Sequence, residues 1–155
     1  MRTLAELTAT DAQAGRIDWI GLRPERRGAM RPVSAAELRP DGLAGDHARA
    51  GKRALTLFQA EHLAAVAGFL GRGAVPPELL RRNLMISGLN LSALRGVALA
   101  LDGAVVRITV PCAPCSRMEE ALGPGGYNAM RGHGGWCAEV LQPGPVATGA
   151  PVRRV

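Results

Sequence analysis

Aromatic residues are scarce: two Trp, two Phe and one Tyr serve a chain of 155 residues. Trp19, Phe58, Phe69, Tyr127 and Trp136 are too few and too scattered for a base-stacking platform, and no helix-turn-helix or finger spacing is present. Nucleic acid is therefore not expected as a partner. Cysteines number three, an odd count that does not describe a secreted disulfide scaffold. No apolar run approaches the roughly 18 residues of a membrane span. The first fourteen residues carry Glu6 and Asp11 and lack an apolar signal core. Together these absences predict a cytoplasmic protein with reduced thiols and no membrane partner.

Lysine is nearly missing as well. Of 19 basic residues only Lys52 is a lysine, and the formal net charge is +6. Arginine presents a planar fork of donors that matches phosphate and carboxylate. The excess suits a small anionic ligand, and it equally suits an arginine-biased solvated surface. With 47% hydrophobic and 21% charged residues, the chain has globular composition, and its length predicts a single domain over residues 1–155.

Glycine and proline total 31 and are spread along the chain, which predicts many short elements joined by tight turns. Strand patterns occur over 16–22, 30–38, 54–58, 83–87, 97–101, 104–110, 136–141, 146–148 and 152–155. Pro32 interrupts the second of these. Asp102-Gly103, between two apolar runs, is the strongest hairpin signal. Ala60, Leu63, Ala64 and Ala67 fall on one helical stripe that ends near Gly71, and Pro76-Pro77 open a short second helix through Leu80. This pattern predicts a mainly β fold: a small closed or partly open barrel of about seven strands with a few short helices.

The segment Val110-Pro111-Cys112-Ala113-Pro114-Cys115-Ser116-Arg117-Met118-Glu119 carries the chemistry. A strand runs into Pro111, and two prolines stiffen the turn holding both thiols. Ser116 and Glu119 have capping-box spacing, so a helix is expected to begin just after Cys115 and to end at Gly123-Pro124. That position, with Arg117 beside it, favours the thiolate. Cys115 is thus the first candidate for chemistry, as a soft-metal ligand or a carrier of transferred sulfur. Other readings stay open: buried structural cysteines, a redox C-x-x-C pair, or a zinc site built from Cys112, Cys115, His133 and Cys137.

Several ordered motifs add to this reading: Gly42-Leu43-Ala44-Gly45-Asp46-His47, Gln59-Ala60-Glu61-His62-Leu63 and Leu80-Arg81-Arg82-Asn83-Leu84. They are followed by Pro111-Cys112-Ala113-Pro114-Cys115, Met118-Glu119 and Gly134-Gly135-Trp136-Cys137-Ala138-Glu139-Val140-Leu141. Over about residues 15–150 the set resembles a stand-alone MOSC domain. This module ends molybdenum cofactor sulfurases and occurs in amidoxime-reducing molybdenum enzymes. The resemblance implies a mostly β barrel and a functional cysteine at Cys115, which ligates the molybdenum of molybdopterin or carries persulfide sulfur for it. It implies that Arg81, Arg82 or Lys52 grips the cofactor phosphate, with Arg117 beside the thiol. Asn83 hydrogen-bonds pterin or holds a turn. Asp46 orients a basic residue or simply follows the Gly45 turn, while His47 and His62 are structural.

The chain also departs from the family pattern. Relatives often read Gly-Asp-Arg-His where this chain has Gly45-Asp46-His47-Ala48, so an anion contact is missing or displaced to Arg49. The usual late Gly-Asp is Gly149-Ala150. The sulfurase domain of larger relatives is absent, so pyridoxal phosphate is not expected. Three functions follow. The first is molybdenum-cofactor binding, with reduction of N-hydroxylated compounds fed by an external reductase. The second is persulfide carriage from a cysteine desulfurase, with Cys112 as resolving thiol. The third is a structural zinc module with an anion-binding surface.

Overall fold

The computed structural model describes residues 1–155. The chain opens on a short helix, α1 (Leu4–Thr8), closed by a capping box. The Thr3 hydroxyl accepts from the Glu6 amide at 3.1 Å, and the Glu6 carboxylate accepts from the Thr3 amide at 2.7 Å. Sequence periodicity gave no sign of this five-residue helix, which buries none of its residues.

Eleven strands follow. They are β1 (Gly15–Leu22), β2 (Arg31–Val33), β3 (Ala35–Arg39), β4 (Gly42–Leu43), β5 (Leu55–Gln59), β6 (Leu84–Ser87), β7 (Ala98–Ala100), β8 (Val105–Pro111), β9 (Trp136–Gln142), β10 (Gly144–Ala147) and β11 (Pro151–Arg154). Seven of them close a barrel in the order β11-β7-β8-β9-β5-β6-β1, with β1 pairing back to β11 through Gly15 opposite Val152. The expected Asp102-Gly103 hairpin joins β7 to β8, with Asp102 at φ 71°. Neighbours are antiparallel except β5 and β6. Those two run parallel because α2 (His62–Phe69) and a 3₁₀ turn (Pro77–Leu80) cross between them.

The strand expected over 30–38 is two strands in two sheets, broken at Ser34. Its first half, β2, extends the large sheet beyond β1, where an edge position tolerates Pro32. Its second half, β3, joins β10 and β4 in a separate three-stranded sheet.

Two apolar clusters explain the runs that lack alternation. The barrel interior holds 21 buried residues, among them Ile17, Leu57, Leu84, Ile86, Val106 and Ile108. A second cluster of ten lies outside the barrel wall, where Phe58 and Met85 meet Val66, Leu80, Met118, Leu122 and Met130. Leu57 and Phe58 thus face opposite sides and are both fully buried, which is why β5 reads as continuously apolar. The outer cluster packs α2, the 3₁₀ turn, α3 (Ser116–Leu122) and α4 (Gly126–Met130) over β5 and β6. Full burial of each large side chain there contributes roughly 1.5–3 kcal/mol. The turn that bears Cys112 and Cys115 leads directly into α3 of this cap. No helix is long and apolar enough to cross a membrane.

Candidate functional site

The end of β8 delivers the chain into the turn 112–115, and α3 begins at Ser116, directly after Cys115. The helix ends at Gly123, as expected. Its capping differs from expectation. Cys115 is the N-cap, with no side-chain cap hydrogen bond, and Ser116 already lies in the first helical turn. The Glu119 carboxylate turns the other way and accepts from the amides of Gly125 at 3.2 Å and Tyr127 at 2.9 Å, tying α3 to α4.

Arg82 staples the turn from beneath. It is 7% exposed and donates to three carbonyls: Gly134 from Nε at 2.7 Å, Leu80 at 3.1 Å and Cys112 at 3.2 Å. Its predecessor supplies the bend that aims it. Arg81 has φ 55°, a left-handed value, so the two adjacent guanidinium groups diverge. Arg81 reaches the carbonyls of Gly28, Glu25 (3.2 Å) and Arg26 (3.2 Å) on the loop between β1 and β2. Burial, then the charges of Arg23 and Arg117, hold Arg81 below the ordinary arginine range. From the other side the Cys112 turn meets Gly134 and Gly135. A Cβ on Gly134 would stand 2.1 Å from the Cys112 carbonyl oxygen, and Gly135 has φ 85° with the Leu57 carbonyl equally close. Only glycines let the two segments touch.

Asn83 and Asp46 form a second, buried network. Asn83 is fully buried; its Oδ1 accepts from the Thr56 amide (3.1 Å), the Thr56 hydroxyl (3.1 Å) and Arg23 (3.3 Å). Its Nδ2 donates to the Gly21 carbonyl at 3.1 Å. Asp46, whose side chain is inaccessible, takes two guanidinium bonds from Arg23, at 3.2 and 2.9 Å, and the Arg23 amide at 2.6 Å. These contacts order β1, β5 and β6, and neither side chain lines either of the two cavities beside the cysteine turn. Lys52 is exposed and lines neither of those two cavities; its carbonyl accepts from the Thr109 hydroxyl at 2.6 Å.

The three cysteines do not act together. Cys115 is exposed, Cys112 half-buried and Cys137 buried. The neighbouring Cys137 thiol draws Cys112 down to about 6 against the opposing effect of burial. The Arg82, Arg23 and Arg53 charges act in the same direction. Cys137 is pushed up by its interaction with Cys112 and by burial. His133 turns to His62 instead, with Nδ1 to Nδ1 at 3.2 Å and rings edge-on at 4.7 Å. Burial and then His133 hold His62 below its ordinary value. The expected zinc set of Cys112, Cys115, His133 and Cys137 is therefore not formed. No three His, Cys, Asp or Glu side chains converge to hold a metal ion. The C-x-x-C spacing puts its two thiols on different surroundings, because Cys112 closes the strand ladder while Cys115 starts the helix.

Two cavities flank the turn. One, of about 410 Å³, is lined by Cys112, Pro114, His62, His133, Tyr127 and Arg131 among others. The second, of about 680 Å³, is a basic cleft lined by Arg26, Arg27, Arg81, Ser116 and Arg117, with Glu78 and Glu120. Pro114 belongs to the first and Ser116 to the second, so Cys115 stands on the stretch of chain between them. Of the residues picked from the sequence, Arg81 and Arg117 line the cleft, and Cys115 adjoins it through Ser116. Arg26 and Arg27 were missed, although the run Arg23-Pro24-Glu25-Arg26-Arg27-Gly28 marks a basic turn after β1. Neither takes part in an ion pair.

Comparison with known proteins agrees with this architecture. A family described as MOSC domain matches residues 44–153. The YUAD protein from Bacillus subtilis superposes with a TM-score of 0.78 at 17% identity, covering 90% of this chain and 94% of that one. YiiM from Geobacillus stearothermophilus gives 0.77 at 21% identity, covering 91% and 75%. YiiM from Escherichia coli gives 0.72 at 24% identity, covering 90% and 69%. No curated protein matches the chain in sequence. At these identities the structural likeness concerns the fold alone.

Proposed function

Because this chain belongs to the MOSC domain family, we propose that it binds a molybdenum–molybdopterin cofactor, with Cys115 as the thiolate ligand of the metal. The observation that carries this reading is the exposed Cys115 thiol, one residue before Ser116 on the wall of the 680 Å³ arginine cleft. The residues suit the group. A soft thiolate matches a metal already held by sulfur donors. Arg26, Arg27 and Arg117 supply guanidinium donors for the cofactor phosphate, while Arg81 adds charge and shapes the loop that presents them. Bound there, the group would supply a two-electron redox metal, the chemistry that reduction of N-hydroxylated compounds needs. Arg82, Asn83 and Asp46 enter this reading as supports: they hold the Cys112 turn and the strands beneath it.

Exposure of Cys115 also favours a second reading, in which it carries persulfide sulfur delivered by a desulfurase. In that reading Cys112, three residues away on the same turn, is the candidate resolving thiol. The deciding measurement is molybdenum per chain by mass spectrometry, on protein made in a cofactor-producing host. Molybdenum is expected near one per chain, lost in Cys115→Ser and reduced in Arg26→Ala/Arg27→Ala, with thermal melting unchanged. Molybdenum retained by the Cys115→Ser variant overturns the ligand assignment. Absence of molybdenum with one extra sulfur on Cys115 establishes carriage instead.

A further inference from the structure

Cys137 takes part in neither reading above, yet the fold brings it together with Cys112. The backbone shows how. Pro111 pairs with Trp136 across β8 and β9, and the Cys112 amide donates to the Gly135 carbonyl at 2.9 Å. Side chains alternate along antiparallel strands, so Cys112 and Cys137 lie on the same face of the ladder as diagonal neighbours. Diagonal partners normally stand somewhat beyond disulfide reach. Here the ladder is irregular between Ile108 and Pro111, and Cys112 lies just past the strand end, outside the regular pairing, so closing a disulfide calls for a backbone shift of that turn.

Their exposures are complementary. Cys137 is 1% exposed, whereas Cys112 lines the 410 Å³ cavity. A molecule entering that cavity meets Cys112 first, with Arg131, His62, Gln59 and Tyr127 on the walls. These are polar groups with one fixed positive charge, and they suit a small polar molecule bearing a carboxylate. Arg82 pins the Cys112 carbonyl and keeps its positive charge beside the sulfur.

We propose that Cys112 and Cys137 form a second thiol site, in which Cys112 reacts with a small carboxylate-bearing disulfide in this cavity and Cys137 completes an intramolecular disulfide. In the first step the Cys112 thiolate forms a bond to one sulfur of the small disulfide. The S–S bond of that molecule breaks, and the thiolate released takes up the proton that Cys112 gave to solvent. In the second step Cys137 attacks the Cys112 sulfur. The bond from Cys112 to the small molecule breaks, and the second thiolate leaves with the Cys137 proton. Two cysteine sulfurs are oxidised by two electrons in total, and the small disulfide is reduced to two thiols. Excess small thiol runs the same steps backwards.

The site is separate from Cys115, so its test needs no cofactor. The full-length protein is treated with oxidised glutathione, quenched in acid, unfolded, labelled with a maleimide and mapped by peptide mass spectrometry. The expected result is a Cys112–Cys137 linkage with loss of labelling at both residues, while Cys115 carries a label or a glutathione mixed disulfide and no protein cross-link; dithiothreitol restores labelling. Cys115→Ser is expected to leave the linkage intact and Cys112→Ser to abolish it. Cys137→Ser is expected to accumulate the mixed disulfide on Cys112. The wild-type map stands even where that variant fails to fold. Full labelling of Cys112 and Cys137 in the treated wild type, or a linkage through Cys115, overturns the proposal.

Discussion

Asn83 illustrates how a ligand-like residue becomes a structural one. In the run Arg81-Arg82-Asn83 it stands beside two cations and looks suited to a pterin edge. In the fold its side chain is fully buried, with donors from Thr56 and Arg23 on one side and the Gly21 carbonyl on the other. Asn83→Ala strands a buried amide and a buried carbonyl, and is expected to lower unfolding free energy by about 3 kcal/mol. Urea denaturation measures this, and unchanged anion affinity at the cleft would separate it from a binding role. Cys112 runs the other way, from a secondary thiol to a perturbed one. The Cys137 thiol and the neighbouring guanidinium charges favour its thiolate, so its alkylation rate is expected to stay nearly level from pH 8 to pH 7 and to fall only toward pH 6. An ordinary thiol loses about tenfold per pH unit across that range. Site-resolved iodoacetamide labelling distinguishes the two profiles.

At the scale of elements, the contact between the Cys112 turn and the segment entering β9 depends on missing side chains. Gly134→Ala forces a methyl group against the Cys112 carbonyl, a backbone atom that Arg82 also holds. The expected cost is about 2 kcal/mol, read as a lower urea midpoint with faster labelling of Cys137. The same segment carries His133 to His62 at the start of α2. His62 is held below its ordinary value, so the neutral ring is the form the fold prefers. Between its folded value and the unfolded value of about 6.5, the unfolded chain binds more protons, so stability falls as pH drops through that window. Melting temperature is expected to decline with acidification below about pH 6.5, and less so in His62→Gln. An identical decline in both proteins would show that the histidine contact carries none of it.

For the molecule as a whole, the closing event is the pairing of β11 with β1 on one side and β7 on the other. Val152, at the seam, is fully buried against the barrel interior. Truncation before Pro151 leaves two unpaired strand edges and opens the core to water. Cooperative thermal unfolding of the truncated chain is expected to disappear; a sharp transition retained there would show that the barrel does not need its seam. The two clusters divide the labour. The barrel interior sets the frame, and the outer cluster under α2, α3 and α4 places both cavities beside one turn.

The sequence by itself determined the strand-rich frame, the Asp102-Gly103 hairpin, the helix beginning after Cys115 and the MOSC motif order. These are local matters: alternation, turn chemistry and spacing act over a few residues. The split of residues 30–38 between two sheets was invisible, because each half obeys a different partner elsewhere in the chain. The same holds for the site. Cys112 and Cys115 are three residues apart and look like a pair, but the pleat turns Cys112 toward Cys137 while the helix start leaves Cys115 in solvent. Arg81 and Arg82 look interchangeable, yet one left-handed residue sends the first to the 24–28 loop and the second beneath the cysteine turn. Which thiol meets which neighbour, and which arginine stays free for an anion, was decided by long-range strand register and packing, whose free energy is shared among residues far apart in the chain.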